Sequence, residues 1–159
     1  MAPPPPAAPA RTPAETAMAR GLKFWMAAPE ATPLEPCDVP LALGALLLRA
    51  AAEAQGAPPL IGVALVDAVL ARRHELTQRE AAEMRLSCQA VAACAPDTAC
   101  FAAMLARAVG YRDRLALAHC LCEVMAGSDP APGTRHTALW LAEHLLFVAP
   151  CDLGASRAG

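Results

Sequence analysis

β-Branched side chains are scarce in this 159-residue sequence, which has one Ile, eight Val and seven Thr. Such residues and the aromatics favour strands, so their shortage argues against a sheet protein. The aromatics number six, two Trp, one Tyr and three Phe, too few for a platform on which bases would stack. Basic clusters are also missing. Arg72-Arg73 is a single pair, the net charge is −2 and the pI is near 6.1, so nothing marks a nucleic-acid or anionic-membrane partner. A membrane span needs about 20 apolar residues. The best run, 60–71, stops at 12 and contains Asp67. Four prolines at 3–6 exclude the apolar core of a secretory signal there, although Arg11, Arg20 and Lys23 leave an organellar transit peptide open.

Alanine dominates instead, with 40 residues, and leucine is abundant. Both are good helix formers. The expectation is an all-α fold, a single compact bundle of about six to seven helices with thin, alanine-rich layers. Seven cysteines, Cys37, Cys88, Cys94, Cys100, Cys120, Cys122 and Cys151, form an odd set, read as reduced thiols in a cytoplasmic compartment.

The chain divides into a disordered Pro/Ala-rich tail (1–11), a short amphipathic helix and linker (12–37), a helical bundle (38–150) and a loose C-terminus (151–159). Thr12-Pro13-Ala14-Glu15 has the form of a capping box and opens a helix to about residue 27. Met18, Leu22 and Trp25 share one face of it, with Phe24 and Met26 beside them. This stripe either docks on the bundle, the preferred reading because exposed aromatic stripes are costly, or binds a partner. Asp38 is read as the cap of a helix over 39–55. Pro58-Pro59 opens the next, over 60–73, which is apolar almost all round and so is placed at the centre. Thr77 and Glu80 form a second capping box for a helix to about residue 93. Asp97 caps another, closed by Gly110. The remaining helices span about 112–126 and 134–148, the last ended by Pro150.

Two helix-loop-helix units, 41–73 and 114–148, look related. The segments Leu46-Leu47-Leu48-Arg49-Ala50-Ala51-Ala52-Glu53-Ala54-Gln55-Gly56 and Arg114-Leu115-Ala116-Leu117-Ala118-His119-Cys120-Leu121-Cys122-Glu123-Val124-Met125-Ala126, with Glu75-Leu76-Thr77-Gln78-Arg79-Glu80 between them, resemble the TerB-like (tellurite-resistance TerB) helical domains over roughly residues 40–148. That family carries, in two copies, an Asp-Gly pair at a helix end with an acidic residue seven positions after the Asp, a donor set suited to hard cations. Here the matching positions read Gln55-Gly56 with Gly62, and Ser128-Asp129 with Arg135. The carboxylates are missing, so the resemblance implies the fold but neither the metal site nor any functional residue.

His119, Cys122 and Glu123 share a helical face at i, i+3 and i+4 and have zinc-compatible chemistry. No CxxC accompanies them, and packing of Cys120 with surface pairing of His119 and Glu123 is the preferred reading. Cys88, Cys94 and Cys100 straddle Pro96 without any neighbour that would activate a thiol. His136 and His144 are eight apart, which is not the zinc-binding HExxH spacing. Trp140 lies one residue off the Leu141–Leu145–Val148 stripe and marks either the core edge or a contact surface. No Ser-His-Asp order, phosphate loop or Rossmann glycine pattern occurs. The reading is therefore a non-catalytic protein-interaction or scaffold module with a protein partner and no cofactor or metal. Leu22, Phe24, Trp25 and Trp140 are the candidate partner-binding residues. The alternatives are a Bcl-2-like helix-in-groove protein and, less favoured, a metal-dependent enzyme using His119, Cys122 and Glu123.

Overall fold

A computed structural model of the chain describes residues 2–5, 13–53, 62–128 and 132–154, with the side chains of 13–19, 52–53, 128 and 132 left undescribed. Helices account for nearly all of it: α1 (Pro13–Ala27), α2 (Val39–Glu53), α3 (Val63–His74), α4 (Gln78–Ala92), α5 (Thr98–Ala108), α6 (Tyr111–Ser128), α7 (Pro132–Leu145) and α8 (Pro150–Gly154). Among the described residues there is no strand. The fold is all-α, as the composition implies. Of the tail, residues 2–5 are exposed and carry no regular structure. Residues 6–11, Thr12 of the first capping box and Pro58-Pro59 lie outside the described residues.

Local signals set most helix ends. At α4, the Thr77 hydroxyl accepts from the Glu80 amide at 3.2 Å, and the Glu80 carboxylate accepts from the Thr77 amide at 2.8 Å. That exchange satisfies two orphan donors and holds the Glu80 carboxyl below its usual pKa. Asp97 accepts from the Cys100 amide at 3.0 Å and starts α5. Arg72 and Arg73 stand in the last turn of α3, where positive charge meets the negative end of the helix dipole, with His74 beside them. Glu75 then turns left-handed at φ 53°, and the Leu76 amide reaches back to the Ala71 carbonyl at 2.9 Å.

Asp38 departs from its expected role. It belongs to a 3₁₀ turn, Pro36–Asp38, that runs straight into α2, because Val39 already has right-handed helical backbone. An N-cap needs an extended residue at that point. Asp38 is buried, and its Oδ1 has no hydrogen-bond partner among the described residues.

The centre of the bundle is also not where hydropathy places it. Residues 42–48 of α2 are all buried, and α2 packs on α3, α4 and α5. α3 buries Val66, Val69 and Leu70 but exposes Val63, Ala64, Ala68 and Arg72. The central rod is therefore α2, not the 60–73 segment. Alanine makes both helices read as apolar all round, yet an alanine surface is nearly as tolerable in water as in a core. The one acid of the run, Asp67, is held by Arg85 of α4 at 2.6 Å, both side chains about four-fifths buried.

α4 lies against both α2 and α3, α6 joins α3 to α7, and α1 rests on α4. On α6 the buried residues are Leu117, Ala118, Leu121 and Met125, while Cys120 and Val124, which the spacing of Leu117 and Leu121 predicts to point inward, are half-buried. The stripe is rotated because α6 is covered by α3 on one side and α7 on the other. Residues 150–154 form α8 in place of the expected loose end. Pro150 opens that helix rather than closing α7, which suits a residue with fixed φ and no amide proton. Residues 155–159 lie outside the described residues.

Candidate functional site

The candidate partner-binding residues separate into two groups. Leu22 is fully buried and Trp25 is 2% exposed, both within the core shared with the bundle. Burying each is worth about 2 kcal/mol, so α1 belongs to the domain and these two side chains are not presented to a partner. Phe24, between them in sequence, faces the other way and is 75% exposed. Helical geometry turns the side chain by about 100° per residue, which is why neighbours in the stripe have opposite fates.

Trp140 stands on α7, which packs chiefly on α6 and α8. Its ring is 45% exposed and stacks on His144, with centroids 4.6 Å apart and planes inclined by 15°. His144 Nδ1 lies 3.0 Å from the Trp140 carbonyl, to which it donates, so the imidazole is fixed from both sides. The indole is thus exposed but held in place. Phe147, just beyond α7, is 47% exposed and has left-handed backbone at φ 53°.

That strained turn is clamped from α6. Arg114 Nη1 donates to the Leu146 carbonyl at 2.9 Å and the Phe147 carbonyl at 3.0 Å, while its Nε donates to the Val109 carbonyl at 3.1 Å. The guanidinium lies 5.3 Å from the centre of the Tyr111 ring. The Tyr111 hydroxyl donates to Asp152 and accepts from the Ala149 amide at 3.1 Å. One arginine and one tyrosine thereby join the ends of α5 and α7 to α8. Nothing in the sequence signals this clamp, because a single Arg carries no local sign of where its five donors go.

Elsewhere the chemistry is quiet. Glu123 is paired with Arg72 of α3 at 2.5 Å, both side chains more than half exposed. His119 and Cys122 are half-buried on the same helix. Among the described residues no three His, Cys, Asp or Glu side chains gather as a metal site would require. All seven cysteines are free, Cys88 is buried and Cys37, Cys94, Cys100 and Cys151 are exposed. Burial pushes the Cys88 thiol up to about 12, away from thiolate chemistry. Of the positions matching the TerB-like acidic motif, Gly62 precedes α3 and Arg135 is exposed on α7, while Gln55, Gly56 and Asp129 lie outside the described residues.

A cleft of about 270 Å³ opens between the start of α2 and the facing ends of α3, α5 and α6. Val39, Leu43, Leu70 and Leu117 line it, with Arg73, His74 and Asp113 as its charged or titratable members. Arg73 and Asp113 approach to 3.7 Å. Burial, and then the charge of Arg73, lower the pKa of His74 and favour its neutral form.

No protein-family model, no curated protein and no solved structure matches the chain. Among the described residues no helix is long and apolar enough to cross a membrane.

Proposed function

We propose that this chain is a non-catalytic protein-interaction module, a TerB-like helical bundle acting in a reducing cytoplasmic compartment, whose contact surface is the outer face of α7. The observation that carries the reading is the Trp140–His144 stack. Tryptophan is enriched among residues that dominate binding energy. A large side chain already fixed in the free protein loses little rotamer freedom on binding. Seven free cysteines fit the compartment, and contacts between α2 and α3 and between α6 and α7 fit the paired units of the resemblance.

The test is capture of partners by the purified chain and by point variants, followed by affinity measurement with the recovered protein. Trp140→Ala should weaken binding by about 2 kcal/mol, roughly thirtyfold. Phe24→Ala and removal of residues 1–12 should leave it intact. Deleting 1–36 would be misleading, since it strips Leu22 and Trp25 from the core. A partner retained at full affinity by Trp140→Ala would reject this assignment.

A further inference from the structure

The cleft at the head of α2 is the feature that the α7 surface leaves unused. Its walls are apolar side chains drawn from separate helices, and its volume would hold roughly nine water-sized groups. Pockets for small molecules combine apolar walls with a few polar groups in this way.

The polar groups here are under-used. Arg73 is two-thirds buried, and its ionic contact among the described residues, Asp113 at 3.7 Å, is too long for a hydrogen bond. A guanidinium carries five N–H donors in a planar fork that matches a carboxylate. Asp113 itself is 58% exposed, so water can take over its solvation if Arg73 turns to another anion. His74, beside Arg73, favours the neutral form and can offer an N–H without adding charge.

We propose that this cleft binds a small apolar monocarboxylate, a medium-chain acid, with its tail along Val39, Leu43, Leu70 and Leu117 and its carboxylate on Arg73. The charge pattern selects the ligand class. An uncharged alcohol would leave Arg73 with only its long contact to Asp113, and an amine could pair with Asp113 only by displacing Arg73.

Titration calorimetry of the full chain with octanoate, octanol and octylamine tests this. Octanoate should bind saturably at one site, and more tightly than the other two. Arg73→Gln should weaken octanoate at least tenfold and leave octanol unchanged. Val39→Phe, at a partly buried position on the cleft wall, should abolish binding while keeping the helical circular-dichroism signal. If that variant does not fold, methyl shifts at Leu70 and Leu117 in the native protein on adding octanoate serve instead. The proposal is overturned by the absence of saturable octanoate binding, by equal affinity of octanol or octylamine, by indifference to Arg73→Gln, or by shifts confined to other parts of the protein.

Discussion

Gly44 of α2 sits so close to Cys88 of α4 that a β-carbon built on the glycine would lie 2.5 Å from the cysteine Sγ. This contact sets how near the two most extensively packed helices approach. Leu70 Cδ2 would lie 3.4 Å away on a third helix, so there is no direction in which the pair can easily give. Gly44→Ala should therefore destabilise the fold by about 1–3 kcal/mol despite alanine's better helix propensity. Urea denaturation gives the sign; a more stable variant would show that the crossing can open.

The same burial governs Cys88 chemistry. Its thiol is raised from 9.0 to about 12 by desolvation. The folded state holds that proton when the unfolded chain has lost it, so the contribution to stability is full below about pH 9 and is lost as pH rises toward 12. Cys88→Ala should flatten the alkaline limb of stability over that range. In the native protein a thiol reagent should modify Cys37, Cys94, Cys100 and Cys151 quickly and Cys88 only on unfolding. Rapid native labelling of Cys88 would contradict this.

The two ion pairs of α4 should differ in worth. Arg85–Asp67 bridges two helices with both side chains largely buried, whereas Arg79–Glu83 lies within α4 at 90% and 63% exposure. Double-mutant cycles should give a coupling of about 1–2 kcal/mol for the first and under about 0.5 kcal/mol for the second. Equal couplings would mean that burial is not what separates them.

Arg114 carries three hydrogen bonds to carbonyls at helix ends. Arg114→Met keeps much of the side-chain bulk and removes the donors, so a loss of about 2 kcal/mol is expected. Amide exchange at Val148, whose N–H reaches the Ala142 carbonyl at 3.0 Å, should speed up before that of the α2 core. Uniform loss of protection across the chain would show that the clamp is not local.

Asp38 is a site where a substitution should help. Burial, and then Glu35, raise its pKa, and Oδ1 lacks a partner among the described residues. A raised carboxyl pKa means the fold prefers the protonated form, so its contribution is full below pH 3.8 and is lost as pH rises through the folded value. Asp38→Asn should stabilise the protein at neutral pH by about 1 kcal/mol, with the difference from wild type vanishing in acid. Thermal melts at pH 3 and pH 7 provide the comparison. A neutral-pH loss on substitution would assign Asp38 a partner that its burial conceals.

The sequence by itself determined the class of fold and the ends of most rods. Thr77 with Glu80, Asp97 before α5, and Gly110 after it act within a turn of where they stand, so their effects can be read locally. Periodicity likewise placed Ala81, Cys88 and Val91 of α4 and Phe101 and Leu105 of α5 in the core, while Ala108, on the same stripe of α5, is exposed. What the tertiary structure decided is long-range. It made α2 rather than α3 the centre, because alanine gives no preference between core and water. It turned Trp25 in and Phe24 out, tied Asp67 to Arg85, and sent Arg114 across to the end of α7. Both candidate sites depend on this: the cleft draws its walls from four elements, and Trp140 is exposed only because nothing packs over the outer face of α7 among the described residues. Such neighbours are set by how whole helices stack, and no window of sequence contains them.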